Sequence, residues 1–199
     1  LRTKADVRAY STSTAMDDLD DVRVALGYDR INVLGVSYGT RAALEYVRRH
    51  GEHVRTVTLD AVLPMPAALG EGIAEDAQRS LDLTFAACAK DAGCNAEFPD
   101  ARRDFEAVMA SLETPVVVHV SHPATGARSR VELSRQLLGS TVRMLTYSRA
   151  TASLLPLLFH TARATGDFGP LASQVLLVQD GSMLSAVSWG LHLSVVCAE

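Results

Sequence analysis

The pentapeptide Gly35-Val36-Ser37-Tyr38-Gly39 combines residue types and a spacing that could do chemistry. An apolar run precedes it and a helical pattern follows it, so Ser37 falls on a sharp turn from a strand into a helix. Such a turn projects the serine hydroxyl above the sheet edge, at the positive end of a helix dipole. The pattern therefore predicts that Ser37 is a nucleophile and that the backbone N–H of Tyr38 donates to the oxyanion.

Two other interpretations of the pentapeptide stay open. Its glycines, which leave room for a strand and a helix to pack closely, could serve a tight turn with no chemistry at the serine. A phosphate-binding loop is the third interpretation, although the pentapeptide has neither the G-x-G-x-x-G pattern nor the Lys-Ser/Thr pair typical of such loops.

A serine nucleophile needs a base, usually a histidine, that a carboxylate orients. His50 and His53 come at the far end of the next strand, which excludes them. Asp60 ends that strand, and a carboxylate there could reach a site, although capping or loop hydrogen bonding is the favoured role. The remaining histidines do not follow a strand end with an acid before it, so none of them is favoured as the base: His119, His122, His160 and His192.

Four predicted elements must position the pentapeptide. The first is a helix with a capping-box pattern at Thr14 and Asp17 and a left-handed stop at Gly27. Two short apolar strands, 31–35 and 54–59, then flank a second helix over 39–50. This order, helix, strand, helix, strand, predicts a parallel sheet with helices on its faces. The apolar face of the first helix is predicted to carry Met16, Leu19, Val22 and Leu26.

The chain changes character after about residue 66. Apolar residues at helical spacing predict several helices, one of them capped by Ser134, and two strands around Pro123 to Gly126 predict a hairpin. The run from Leu191 to Cys197 reads as a final strand. We therefore predict three parts: a core over 1–66, a mostly helical module over 67–190, and a return segment over 191–199.

Composition and cysteine spacing narrow the function classes. A net charge of −4 argues against a nucleic-acid partner, and no stretch approaches the roughly 20 apolar residues of a membrane span. No Cys/His cluster has zinc spacing, so neither a metal nor a cofactor is expected. Cys88 and Cys94 could close a small disulfide loop, which would suit an oxidising compartment, or be free thiols. Cys197 is predicted either to pair with a cysteine outside this sequence or to be a buried free thiol.

With these residues in hand, the chain resembles the prolyl and tripeptidyl aminopeptidase group of the α/β-hydrolase superfamily, which are often secreted bacterial serine exopeptidases. The similarity extends in order beyond the pentapeptide to these segments: Tyr10 to Asp20, Leu26 to Leu34, Thr40-Arg41, Leu44 to Tyr46, Val57 to Asp60, Cys88 to Cys94, Gly166 to Phe168 and Val196 to Glu199.

The resemblance implies an α/β fold, a partial α/β-hydrolase core of parallel strands with flanking helices, plus a helical cap over 67–190. It implies that Ser37 is the nucleophile and that Glu199 holds the free N-terminal amine of a peptide, unless that residue is merely solvated. The family's His-Gly-Gly-Pro oxyanion loop would lie before Leu1, and its catalytic Asp and His after Glu199. The chain is therefore expected to be an internal fragment of such an enzyme, or a gene product truncated at both ends, and to be inactive or nearly inactive alone.

The function that the resemblance implies is cleavage of N-terminal residues or short peptides through an acyl-enzyme at Ser37. The expected partner is a peptide with a free N-terminus. The alternatives are an esterase or amidase on the same fold, and a non-catalytic binding module. The usual location of this family's members also implies that the protein is secreted or associated with the cell envelope of a bacterium, with the cytoplasm as the alternative.

Overall fold

The chain folds into two units. In the computed structural model, the described residues are 6–68, 70, 72–181 and 187–198. The first unit contains the described residues up to 70 and those from 187 onward, and the second contains 72–181. The helices are α1 Thr12–Ala25, α2 Tyr38–His50, α3 Ile73–Lys90, α4 Ala92–Glu97, α5 Ala101–Ser111, α6 Arg135–Leu145, α7 Arg149–Ala152, α8 Leu155–Thr165, α9 Gly169–Gly181 and α10 Trp189–Ala198, and the strands are β1 Ile31–Val36, β2 Val54–Asp60, β3 Val116–Ser121 and β4 Arg128–Leu133.

The first unit is built on a parallel pair of strands. β1 and β2 run in register from Asn32 opposite Thr56 to Val36 opposite Asp60, and α2 connects them. The predicted order and the predicted parallel pairing are both confirmed. Because parallel strands carry their carboxyl ends to one edge, the turn after Val36 and the turn after Asp60 lie side by side. This edge holds the candidate site.

Helix α1 begins three residues earlier than the capping-box pattern predicted. Ser11 is the N-cap, with its hydroxyl accepting the N–H of Thr14 at 3.2 Å, so Thr14 lies inside the helix. The run Ser11-Thr12-Ser13-Thr14 offers four capping residues in a row, and the pattern alone does not choose between them. At the other end Gly27 has the left-handed φ of 74° that was predicted.

The predicted apolar face of α1 is wrong in part. Val22 and Leu26 are 53% and 65% exposed, whereas Arg23 is 8% exposed. The Arg23 guanidinium donates to Asp20 at 2.7 Å and to the carbonyl of Tyr28. These polar contacts draw the aliphatic part of the arginine inward, so periodicity in apolar residues did not identify the buried face.

Buried polar side chains join α1 to α2. Asp20 accepts hydrogen bonds from Tyr46 at 2.8 Å and from Arg23, which chiefly holds the pKa of Asp20 well below its ordinary value. Glu45, 1% exposed, accepts from Arg48 at 2.6 Å and from Ser13 at 2.7 Å. The Arg48 hydrogen bond is the largest cause that lowers the pKa of Glu45 to about 2. Both carboxylates are therefore stabilised as anions in the folded chain.

The buried carboxylate of Glu45 predicts that the folded chain loses stability in acid. The folded-state pKa of Glu45, about 2, lies below the roughly 4.3 of an unfolded glutamate, so the stabilisation is complete above about pH 4.3 and disappears as the pH falls towards 2. We expect Glu45→Gln to destabilise the protein by on the order of 2 kcal/mol at pH 7 and to flatten the dependence on pH between 4.3 and 2. Urea unfolding at pH 7, 4 and 3 measures both effects.

The matched control is Glu52→Gln, because the Glu52 side chain is 69% exposed. We expect that variant to unfold like the unmodified protein at each pH. Equal effects of the two substitutions would contradict the role given to Glu45.

The second unit packs helices around a two-stranded antiparallel hairpin. β3 and β4 pair from Val116 opposite Leu133 to Ser121 opposite Arg128, as predicted, and Ser134 caps α6 through the N–H of Leu137. The rings of Phe105 and Phe159 pack edge to face, with their centroids 4.9 Å apart. Buried aliphatic and aromatic side chains form one cluster that includes Leu81, Phe85, Val108, Leu112, Leu138, Val142, Leu155, Leu158, Leu171 and Val175.

The strand predicted at Leu191 to Cys197 is wrong, because these residues belong to helix α10. The alternation of Leu191 and Leu193 with polar residues resembles a strand, but a short apolar run does not distinguish strand from helix. In the described part of the first unit this run pairs with neither β1 nor β2. A helix satisfies its backbone hydrogen bonds internally, and the first of them joins His192 N–H to Ser188 C=O at 2.8 Å.

The cysteines occupy different environments. Cys88 and Cys94 form a disulfide that links the end of α3 to α4, with Cα atoms 5.1 Å apart. Cys197 has a free, exposed thiol rather than a buried one. Among the described helices, none has the length and apolar character needed to cross a membrane.

Candidate active site

Ser37 lies at the turn between β1 and α2 in a backbone conformation that is rare for a residue with a side chain. Its φ is 54° and its ψ is −123°. In the described residues the other non-glycine residue with positive φ is Ala61, at 56°. Conformations of this kind cost about 1–3 kcal/mol and persist where the surroundings hold them, which is common at functional sites. Ser37 is exposed, and α2 begins at the next residue.

The close packing of this turn requires glycine at position 35. A Cβ on Gly35 would lie 2.5 Å from the carbonyl oxygen of Gly39 and 2.8 Å from the Cα of Thr40. Both neighbours are backbone, which has no room to move away. A Cβ on Gly39 would meet no atom within 4 Å of the described chain. The prediction that close packing requires glycine is therefore confirmed at Gly35, whereas at Gly39 the structure leaves room for a side chain.

Tyr38 is positioned by both its backbone and its side chain. It is the first residue of α2, where the helix leaves backbone N–H groups without an intrahelical partner. Its hydroxyl lies 2.6 Å from the Oγ1 of Thr12, a 1% exposed residue at the start of α1. The sequence pattern predicts a role for the N–H of Tyr38 alone, because a contact across 26 residues has no local signal.

Arg41 is a buried cation that sequence reasoning missed. It is 2% exposed and donates to the carbonyls of Pro64 at 3.2 Å and Ala67 at 2.7 Å. A cation in the first turn of a helix opposes the helix dipole. That unfavourable placement was a possible signal that Arg41 is there to hold another segment, here the one that follows β2.

His50 and His53 lie at the opposite end of the sheet from Ser37, as predicted. His53 immediately precedes β2, and the seven residues of this strand span about 20 Å. His50 Nε2 is 2.9 Å from Asp17, and His53 Nδ1 is 2.9 Å from Asp20. Neither ring can therefore serve as the base for Ser37.

Asp20, His50 and His53 have ligand atoms within 4.8 Å of one another, which is the geometry of a possible metal site. Asp20, however, already accepts hydrogen bonds from Arg23 and Tyr46. A guanidinium on the carboxylate opposes a second cation there. This cluster is better explained as the network that joins α1 to α2.

The other candidate residues have separate surroundings. His160 Nδ1 lies 2.8 Å from Asp104, and His122 Nε2 lies 2.8 Å from Asp180. His119 is on β3, and the ring of His192 packs against Trp189 with centroids 5.7 Å apart. Asp60 ends β2, is exposed, and accepts the N–H of Ser37 on its backbone carbonyl at 2.9 Å. Glu199, the predicted amine-binding residue, lies outside the described residues.

The second unit carries a groove that is separate from this turn. It has a volume of about 420 Å³ and lies between α3, α5 and α6. Its floor is apolar, with Leu81, Phe105 and Val142, and Glu106 and Arg143 lie among its polar lining residues. All the residues that line it belong to the second unit, so the groove does not contain Ser37.

Comparison with known proteins gives one family and two kinds of relative. Residues 2–95 match the profile of the α/β-hydrolase fold family. Serine protease Hip1 of Mycobacterium tuberculosis is 33% identical over 120 residues, which are 57% of this chain and 23% of the relative. The tripeptidyl aminopeptidase of Streptomyces lividans is 42% identical over 53 residues, which are 27% of this chain and 10% of the relative. The chain therefore spans a minor part of the length of both relatives.

Proposed function

We propose, from the match of residues 2–95 to the α/β-hydrolase fold family, that the chain is the nucleophile-bearing part of a serine peptidase that acts on peptide N-termini. The observation that carries this proposal is the conformation of Ser37, with φ of 54° on an exposed turn between a strand and a helix. A plain turn does not need strain at a serine, whereas a nucleophile on a sharp turn does. The phosphate-loop interpretation lacks the glycine and lysine pattern of such loops.

The proposed reaction is acyl transfer in two steps. Ser37 Oγ attacks the scissile carbonyl carbon, and its proton passes to a base that later delivers it to the leaving amine. The carbon–nitrogen bond breaks as the acyl-enzyme ester forms, and water then hydrolyses the ester. We expect the base and its orienting acid after residue 199, in keeping with the chain order serine, acid, histidine of this fold. Without them the chain alone would be inactive.

The proposed oxyanion donor is the backbone N–H of Tyr38. It is at the first position of α2, so the positive end of the helix dipole points towards the developing charge. The hydrogen bond between the Tyr38 hydroxyl and Thr12 restrains this residue from the side-chain direction. A donor held in place before the reaction does not have to reorganise during it.

Specificity for the N-terminus rests on the relatives and on one carboxylate. One relative is a tripeptidyl aminopeptidase and the other a serine protease. We propose that Glu199 pairs with the free amine of the peptide and that the mostly helical second unit is the cap over the site. An ion pair of this kind would measure the substrate from its end.

The same premises give a location. We propose that the protein is secreted or held in the cell envelope of a bacterium. The disulfide between Cys88 and Cys94 supports an oxidising compartment. The relatives come from Mycobacterium and Streptomyces, which is consistent with a bacterial source.

A fluorophosphonate probe tests the nucleophile directly. In the protein at its natural length, we expect covalent labelling that peptide mass spectrometry assigns to Ser37, and no labelling of Ser37→Ala. A well-folded protein that does not label would favour the non-catalytic binding module and overturn the proposal.

Substrate blocking separates the peptidase from an esterase or amidase. We expect a chromogenic peptide with a free N-terminus to be cleaved at least about tenfold faster than its N-acetylated form, because the blocked peptide loses its ion pair. Equal rates for the two peptides would contradict the aminopeptidase assignment. Rapid cleavage of simple esters with no cleavage of either peptide would favour the esterase.

A further inference from the structure

We propose that Thr40 is a positioning residue that holds Ser37 in its strained conformation by tying it to the segment after β2. This inference rests on the proposed function, because it assigns a role in orienting the nucleophile. Thr40 is 0% exposed and lies in the first turn of α2.

The hydroxyl of Thr40 makes two hydrogen bonds in a direction that the chemistry settles. The Leu63 N–H donates to Thr40 Oγ1 at 2.8 Å, and Thr40 Oγ1 lies 2.7 Å from the carbonyl oxygen of Ser37. A backbone N–H can only donate, so Oγ1 accepts from Leu63. Its single proton is therefore directed to the carbonyl oxygen of Ser37.

These contacts hold Ser37 on both of its peptide groups. Its N–H donates to the carbonyl of Asp60 at 2.9 Å, and its carbonyl also accepts the Thr40 N–H at 2.9 Å. With the N–H and the C=O both fixed, rotation about φ and ψ of residue 37 would break at least one bond. The direction of the Ser37 hydroxyl is set by those two angles and by χ1.

The segment after β2 is itself held in an unusual conformation. Ala61 has a φ of 56°, and it lies between Asp60 and Leu63, the two residues that contact the Ser37 turn. The two strained non-glycine residues of the described chain therefore lie on neighbouring turns that are joined by hydrogen bonds. Each turn stabilises the strain in the other.

An ordinary helical threonine does not account for this arrangement. Thr141 is also buried, at 2% exposed, and its hydroxyl donates to the carbonyl of Leu137 in the preceding turn. That bond stays within α6. The second bond of Thr40, from Leu63, crosses 23 residues and joins the first turn of α2 to the segment after β2. Thr141→Val is therefore a matched control, since among the described residues the Thr141 hydroxyl has no such connection to another segment.

The test compares Thr40→Val, which removes the hydroxyl at similar volume, with Thr40→Ser, which keeps it. In the protein at its natural length we expect Thr40→Val to lower kcat and the rate of fluorophosphonate labelling by about 10- to 100-fold, because small misplacements of a reacting group have effects of this size. KM should change by less than about threefold, because substrate contacts are retained. Thr40→Ser and Thr141→Val should stay within about threefold of the unmodified protein on both measures.

The outcomes separate the two proposals. An unmodified protein that does not label at Ser37 overturns the proposed function and this inference with it. If the unmodified protein labels and Thr40→Val labels equally fast, only the inference fails. Circular dichroism and thermal unfolding check folding, and Thr40→Ala replaces Thr40→Val if the valine variant is not native. If both variants unfold while Thr40→Ser is native, Thr40 has a purely structural role, and the inference is overturned.

Discussion

Substituting alanine for Ser37 is expected to lower kcat for a peptide with a free N-terminus by about 10³-fold or more, in the protein at its natural length. The alanine variant keeps the turn and the backbone N–H of Tyr38 but has no oxygen to form the acyl bond. Because the substituted group acts in the reaction and not in binding, KM should change by less than about threefold. Steady-state kinetics on a chromogenic peptide measures both quantities.

The control for this experiment is Ser153→Ala in the second unit. The hydroxyl of Ser153 donates to the carbonyl of Ala150 at 2.8 Å on an exposed turn. That variant should retain full activity. A Ser37→Ala protein with more than about a tenth of the original kcat would show that another residue supplies the nucleophile.

The second large effect is expected from Gly35→Ala, which should prevent the first unit from folding to its native packing. The added methyl would lie 2.5 Å from the Gly39 carbonyl oxygen, and this contact can be relieved only by separating β1 from α2. Overpacking at a buried position costs about 1–3 kcal/mol and occasionally more, which is a large part of the stability of an ordinary domain. The urea midpoint and the yield of soluble protein report this loss.

Gly39→Ala is the matched control, two residues beyond Ser37 instead of two before it. A methyl at position 39 meets no atom of the described chain within 4 Å. Alanine is also favoured over glycine inside a helix by up to about 1 kcal/mol. We therefore expect the urea midpoint of Gly39→Ala to equal or exceed that of the unmodified protein. If the two substitutions destabilise the protein equally, the steric contact at Gly35 is not the cause of the destabilisation.

Local patterns predicted most of the elements around the site. The apolar run 31–35 and the cationic end of α2 are signals carried by adjacent residues, and the observed bounds, Ile31–Val36 and Tyr38–His50, agree closely. The position of Ser37 on a sharp turn also follows from its neighbours, because a glycine two residues earlier is needed for the packing there. Signals of this kind depend on spacing along the chain, so they can be found without a structure.

Predictions failed where two outcomes share one local pattern. The apolar run at Leu191 to Cys197 alternates like a strand and is helical, since what decides is whether a neighbouring strand is present to pair with it. The face of α1 was assigned to apolar residues, but ion pairing of Arg23 with Asp20 placed an arginine inside instead. For the run at Leu191 to Cys197 the outcome depended on strands distant in sequence. For α1 it depended on polar contacts of Arg23 with Asp20 and Tyr28, three and five residues away, which apolar periodicity does not register.

From residue types and spacing alone, the chain could be assigned a strand, a sharp turn with an exposed serine and a helix, because each is specified by residues a few positions apart. The contacts that hold this turn were not accessible in that way: Tyr38 with Thr12, Thr40 with Leu63, and Arg41 with Pro64 and Ala67. Each joins groups more than 20 positions apart, and a hydrogen bond depends on distance and direction in space. Only folding brings such groups within hydrogen-bond distance of each other. The serine could therefore be identified from the sequence, whereas the contacts that restrain it are decided by the tertiary structure.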